Sequence, residues 1–188
     1  VEYAKHYKMP LIVRSSFTNN EGTTVKEEAS MEQGVVVSGI AFDKNVARIS
    51  ILGVKDMPGQ LAKVFTALAE EGINVDIIVQ SGITNGKADF SFSTGIGDVE
   101  RAVGVLRRIQ QEVGFDEVTS ETDLVKVSIV GAGMVSNPGV AAKMFRTISD
   151  LGVSIKMVST SEIKVSCVID ANKFQDVVRA CHTAFGLD

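Results

Sequence analysis

The chain carries one passage twice, eighty residues apart. Residues 49–81 read ISILGVKDMPGQLAKVFTALAEEGINVDIIVQS, and residues 127–161 read VSIVGAGMVSNPGVAAKMFRTISDLGVSIKMVSTS. Pro58 pairs with Pro138, Phe65 with Phe145, Gly72 with Gly152 and Ser81 with Ser161, always at a difference of 80. Gly53 pairs with Gly131 at 78, so the second loop is two residues longer. A repeat this long, holding its own strand–helix–strand, is a duplicated small domain and not a solenoid unit. Two copies of one pocket-bearing module predict sensing or assembly ahead of a single active site.

The first copy reads as a strand over Ala47–Val54 and a helix entered at Pro58, where the missing N–H costs nothing. Leu61, Val64, Phe65 and Leu68 form one apolar stripe at helical spacing, and Gly72 is the helix stop. Ile73–Gln80 is a strand, GITNG (82–86) a hairpin turn and Lys87–Thr94 the returning strand. Asp98–Val113 is a second amphipathic helix with Val99, Val103, Leu106, Ile109 and Val113 inward, and Phe115–Glu121 a fourth strand. The order β-α-β-β-α-β is the split βαβ, or ferredoxin-like, plan, an α+β fold.

The second copy runs Val125–Val130, Pro138–Leu151, Val153–Ser159, Ile163–Ile169 and Ala171–Phe185, then stops at Asp188 without its last strand. An open apolar sheet edge is a liability. Val35–Phe42, a strand candidate followed by a DKN turn at Asp43–Asn45, is the natural donor. The expected topology is therefore interleaved, with the first module (46–123) inserted between residues 31–45 and residues 124–188 of the second. Ahead of both, residues 2–9 read as the end of a helix closed by Pro10, Leu11–Phe17 as a short strand and Thr18–Thr24 as turn chemistry. The chain opens on Val1 and reads as part of a longer protein.

A chain of 188 residues can hold one good core or two small ones. A net charge of -4 argues against a nucleic-acid protein, whose affinity comes mainly from phosphate neutralisation. Arg107-Arg108 is the densest basic spot and reads as a solvated helix face. No apolar run reaches membrane-spanning length. Cys167 and Cys181 lack paired spacing and read as small buried hydrophobes, and the chain reads as cytoplasmic. His6 and His182 have no ligand or base partner by spacing. No metal site, nucleophile–base pair or P-loop is expected.

The loops GVKDMPG (53–59) and GAGMVSNPG (131–139) each leave a strand and enter a helix, presenting free N–H groups and a positive dipole end to a carboxylate or phosphate. Asp56 could hold a ligand ammonium; the plainer alternative is that Asp56 and Asn137 cap their helices. Gly131-Ala132-Gly133 lacks the third glycine of a dinucleotide fingerprint, where Ser136 stands, and that reading is rejected. Gln80, Ser81, Ser159, Thr160, Ser161 and Glu162 gather polar groups at strand ends, suited either to a small polar molecule or to plain turn polarity.

VRSSF (13–17), the D-x-P-G helix entry (56–59), INVDIIVQ (73–80), VSIVGAGM (127–134), PGVAAKMF (138–145) and STSEIKVSCVI (159–169) together resemble the regulatory region of aspartate kinases, which consists of two ACT domains. The resemblance implies that the first domain is inserted within the second and that residues 1–30 are the tail of the kinase domain. Met31 stands where some members begin a separate regulatory subunit. ATP and Mg belong, in this reading, to the kinase domain and not to this chain. The implied effectors are lysine and/or threonine, bound between ACT domains of two chains in a homodimer that switches the kinase by feedback. A purely structural dimerisation module without an effector is the alternative.

By matching position, the resemblance implies a first pocket of Asp56, Gly59, Leu61 and Gln80, faced by Ser154 and Ile155 of the opposing chain. A second pocket would use Asn137, Gly139, Val140, Ser161 and Glu162, faced by Asn74, Val75 and Asp76. Ser154 departs from the Asn of many relatives. Ala141 and Ile83 depart from polar residues of some concertedly inhibited members.

Overall fold

The computed structural model describes residues 2–25, 36–132, 134 and 137–188. Val35 and Met31 lie outside the described residues, as do Gly133, Val135 and Ser136 of the second loop. The chain divides into two compact units, Val1–Val35 and Val36–Asp188.

In the first unit, helix α1 (Glu2–His6) precedes strands β1 (Leu11–Val13) and β2 (Thr23–Val25), which pair antiparallel. The expected strand Leu11–Phe17 is shorter than read, and Thr23 and Thr24 belong to a strand and not to the turn. Arg14 ends the ladder by turning its guanidinium inward on the loop, donating to the carbonyls of Asn20 at 3.0 Å and Asn19 at 3.2 Å.

The second unit holds β3 (Gly39–Lys55), α2 (Gln60–Glu70), β4 (Ile78–Gln80), β5 (Lys87–Thr94), α3 (Val99–Val113), β6 (Glu117–Val130), α4 (Val140–Asp150), β7 (Met157–Thr160), β8 (Lys164–Asp170) and α5 (Phe174–Ala184). The strands form one antiparallel sheet in the order β4-β5-β3-β6-β8-β7.

Two strands serve both repeats. Gly39–Asp43 of β3 pairs with Lys126–Val130, and Arg48–Leu52 of the same strand pairs with Glu117–Glu121. The first half of β3 thus occupies the sheet position beside β6 that the second repeat leaves open. Asp43–Asn45 is therefore not a turn but part of a continuous strand. Its turn-forming residues make a bulge instead: Asp43 Oδ1 accepts the Asn45 N–H at 2.9 Å, and Asn45 Oδ1 accepts the Ile96 N–H at 3.0 Å. Between Asp43 and Val46 the register gains a residue on β3, and between Glu121 and Leu124 it gains one on β6. Each bulge offsets the two-residue alternation by one. That offset lets Ile40 pack on the second core although Ile49 and Ile51, an odd distance away, pack on the first.

Each repeat has its own core. Ile49, Ile51 and Phe92 pack with Val64, Leu68 and Leu106, and Val127, Ile129, Cys167 and Ile169 pack with Met144, Ile148, Val177 and Cys181. In α3 the sequence stripe is displaced: Ala102 and Val105 are buried, while Val103 and Ile109 are only partly so. A small third cluster, Val46, Ile77, Leu124, Met157 and Val168, draws on both repeats.

The two copies end their first helices identically. Gly72 donates its N–H to Ala69 and Ile73 to Leu68; Gly152 donates to Ser149 and Val153 to Ile148. Both are Schellman stops, with the buried pairs Ile73–Leu68 and Val153–Ile148 supplying the accompanying apolar contact. The strands expected to follow are shorter than read, pairing only over Ile78–Gln80 and Met157–Thr160. The hairpin turn narrows to Asn85 and Gly86, both at positive φ as a type I′ turn requires.

Candidate functional site

At both helix entries the N-cap is a glycine in the left-handed region: Gly59 at φ 91° and Gly139 at φ 98°. Any side chain there would be strained. Because glycine cannot cap with a side chain, the first-turn amides stay available. Lys63 donates back to the Gly59 carbonyl, but Leu61 and Ala62 donate to no other main-chain group among the described residues. A helix start left in this state, with its dipole, favours an anion.

Beside α2 the chain forms a cavity of about 350 Å³ lined by Asp56, Gly59, Leu61 and Gln80, together with Lys55, Met57, Pro58, Gln60, Ala88 and Phe90. The four residues that the resemblance implies for the first pocket thus line one cavity of one chain. Asp56 is fixed through its main chain, donating its N–H to the Gly86 carbonyl at 2.9 Å. Its carboxylate has no hydrogen bond or ion pair among the described residues, and it does not cap α2, since the N-cap is Gly59. Gln80 arrives from β4, opposite Phe90 of β5.

Sequence reading passed over Gln60, which is only 8% exposed. It had a signal: Gln60, Val64 and Leu68 recur at four-residue steps on the buried face of α2. A polar residue on an apolar stripe calls for an explanation.

The second set lies at one sheet end, where Gly131 of the helix-entry loop donates its N–H to the Ile163 carbonyl at 2.9 Å. Gly139 caps α4, Val140 is half-buried, and Ser161 donates its N–H to the Lys164 carbonyl at 2.7 Å. Asn137 donates its N–H to the Met134 carbonyl at 3.4 Å. Glu162 is exposed and makes no ion pair with Lys156, Lys164 or any other described residue, and Lys156 is engaged with Glu121 and Asp170.

Asn74, Val75 and Asp76 line a separate cavity of about 250 Å³ that also holds Asp43, Asn45, Thr94, Asp98 and Lys126. Ser154 and Ile155 occupy the equivalent turn of the second repeat, the former exposed and the latter half-buried. Among the described residues, neither turn lines the cavity at the first helix entry.

Two ion clusters tie the repeats together. Lys126 meets Asp76 at 2.6 Å and Asp43 at 3.7 Å. Glu121 joins Arg48 at 2.7 Å to Lys156 at 3.1 Å, and Lys156 reaches Asp170 at 3.3 Å. Hydrogen bonding to Glu121, then to Asp170, raises the Lys156 ammonium above its ordinary range. Burial pushes the Cys167 thiol up to about 12 and Cys181 to about 11, so neither is a nucleophile near neutral pH.

Compared with known families, the chain matches the ACT domain over residues 47–114 and again over residues 127–185. Fold and duplicated helix entry together define a tandem ACT-domain protein. Its relatives carry the assignment further. The chain is 50% identical over 187 residues to an aspartokinase of Geobacillus stearothermophilus, a match spanning all of this chain but 45% of the relative, so it covers under half that relative's length. It is 44% identical to a chain in the crystal structure of aspartokinase alpha and beta subunits, with a TM-score of 0.76 over 80% of this chain and 99% of that one. The ligand-free regulatory subunit of aspartate kinase from Thermus thermophilus is 39% identical at the same TM-score and coverage. The chain belongs to the aspartate kinase family and corresponds to its regulatory region.

Proposed function

We propose that this chain is the feedback sensor of an aspartate kinase, a cytoplasmic ATP-dependent enzyme that phosphorylates the side-chain carboxylate of L-aspartate at a site outside this chain. The sensor binds lysine, threonine or both, and so couples lysine and threonine biosynthesis to its end products. In domain terms, residues 46–123 form one ACT domain inserted between residues 31–45 and 124–188 of the other, and residues 1–30 continue the kinase domain. The pairing of Gly39–Asp43 with Lys126–Val130 supports that division.

The observation that carries the reading is the 350 Å³ cavity holding Asp56, Gly59, Leu61 and Gln80 at a glycine-capped helix start. An α-amino acid suits both ends of it. Its carboxylate meets the free amides of α2, and its ammonium meets the unpaired Asp56 carboxylate, a charge-assisted contact. In a homodimer, Ser154 and Ile155 of the opposing chain would close the cavity. Asn74, Val75 and Asp76 would likewise face Asn137, Gly139, Val140, Ser161 and Glu162. Because each pocket is completed by a second chain, the ligand favours and stiffens the dimer. Couplings of this kind are commonly about 1–3 kcal/mol.

Titration calorimetry with L-lysine, L-threonine and their mixture tests the proposal, with Asp56→Ala as the control. Binding that Asp56→Ala weakens tenfold or more without moving the melting temperature supports the sensor. A chain that dimerises but binds neither amino acid is a structural dimerisation module instead.

A further inference from the structure

We propose that the turns 74–77 and 154–157, one from each repeat, form a single latch on the shared strand β6. An effector that draws one turn off the sheet loosens the other and eases binding at the pocket it faces. The inference rests on the sensor reading, which gives each turn a ligand to face.

The two turns are twins with opposite charges. Asp76 and Lys156 stand at one position of the repeat, eighty residues apart. Each donates its N–H within its own repeat, Asp76 to the Ser93 carbonyl at 3.0 Å and Lys156 to the Val168 carbonyl at 2.8 Å. Their side chains cross over. Asp76 reaches Lys126, on the second repeat's part of β6, at 2.6 Å, and Lys156 reaches Glu121, on the first repeat's part, at 3.1 Å. Arg48 of the first repeat closes the second link, donating to the Lys156 carbonyl at 3.4 Å and to Glu121 at 2.7 Å. Lys156 also keeps Asp170 of its own repeat at 3.3 Å. Arg48 and Lys126 are themselves twins, 78 residues apart, so Asp76 passes over the cation of its own repeat for that of the other.

The next residue of each turn is apolar. Ile77 and Met157 are buried in one cluster with Val46, Leu124 and Val168, drawn from both repeats. Moving either turn therefore breaks a link to the other repeat and disturbs packing that both share. An effector that recruits Asp76 must first take it from Lys126. The latch is opened once, and a second ligand then meets a turn already released, which is positive coupling.

Amide exchange followed by NMR, with L-lysine calorimetry, tests the latch on the whole chain carrying Lys126→Met, Lys156→Met or both. Without ligand, each single substitution should speed exchange by about threefold or more at both the Asp76 and the Lys156 amides. Each should also tighten lysine several-fold, and the double variant should gain no more than the better single, because the latch opens once. Gains that multiply report two independent charges and overturn the latch. Exchange quickened only at the turn whose own link is cut, with lysine still bound, overturns the latch and leaves the sensor standing. Binding of neither L-lysine nor L-threonine overturns the sensor reading and this inference with it.

Discussion

Asp76 and Lys126 lie 2.6 Å apart, carboxylate to ammonium, and join the turn after α2 in the first repeat to β6 in the second. Lys126 is the more enclosed partner, its side chain 17% exposed against 56% for Asp76, and an enclosed ammonium needs its counter-ions. The charge of Asp76, assigned by resemblance to the ligand of the second pocket, is therefore already answered within its own chain.

Replacing Lys126 by methionine should release that charge. If Asp76 faces a lysine effector across the dimer, Lys126→Met will bind lysine several-fold more tightly at low salt. The partly exposed pair makes the stability loss small, within about 1 kcal/mol. Calorimetry and thermal melts on the same preparation separate the two effects; unchanged lysine affinity would remove Asp76 from the site.

If the second pocket takes lysine, Glu162 is the carboxylate left to give it a cation preference. It is exposed, with no ion pair among the described residues, and charge-assisted hydrogen bonds are roughly twice as strong as neutral ones. Glu162→Gln should weaken lysine by about tenfold and leave threonine nearly unchanged. Equal losses for both ligands, or none for either, in separate titrations would refute the assignment.

The shared strands predict one cooperative transition for residues 36–188. A chain beginning at Val46 lacks Gly39–Asp43 and exposes β6 over Lys126–Val130, an edge prone to intermolecular pairing. It should lose the second core and aggregate, as read by near-ultraviolet dichroism and light scattering. A monomeric truncation that melts like the whole chain would contradict the strand's role.

Alkaline pH should destabilise the fold through its thiols. Cys167 and Cys181 are raised from an ordinary value of 9.0 to about 12 and about 11, so the folded state holds these protons more tightly than the unfolded state. Their contribution is complete below pH 9 and is lost as pH rises towards the folded values. The slope approaches about 1.4 kcal/mol per pH unit for each thiol. Denaturant titrations from pH 8 to pH 11 should show it, and Cys181→Ala should about halve the slope, leaving the part due to Cys167. Native alkylation of either thiol at pH 7.5 should be slow.

Much of this was legible because the duplication supplies its own control. The helix entries, the Schellman glycines and the missing strand all follow from setting one copy beside the other, whereas the grouping of Asp56, Gly59, Leu61 and Gln80 came only from the family resemblance. What escaped was governed by long-range pairing. The Asp43–Asn45 segment has turn chemistry, yet β6 holds it in a ladder and converts it into a bulge. Ile73–Ile77 has strand composition, but continuous pairing begins only at Ile78. Gln60 was hidden because a glutamine in a first helical turn looks like surface until its neighbours at four-residue spacing prove buried.

A strand that serves two cores also limits how the chain can change over evolutionary time. Adding or removing one residue in β3 or β6 would turn inward side chains outward, and an error in the stretch where the repeats meet would be felt in both. Drift along these strands is thus confined to substitution, and length can vary only where the backbone leaves the sheet. The length differences between the copies obey this rule: two added residues fall in the second helix-entry loop, and the β4–β5 connection is longer than that between β7 and β8. The two helix entries are free to diverge while the frame that joins them stays fixed.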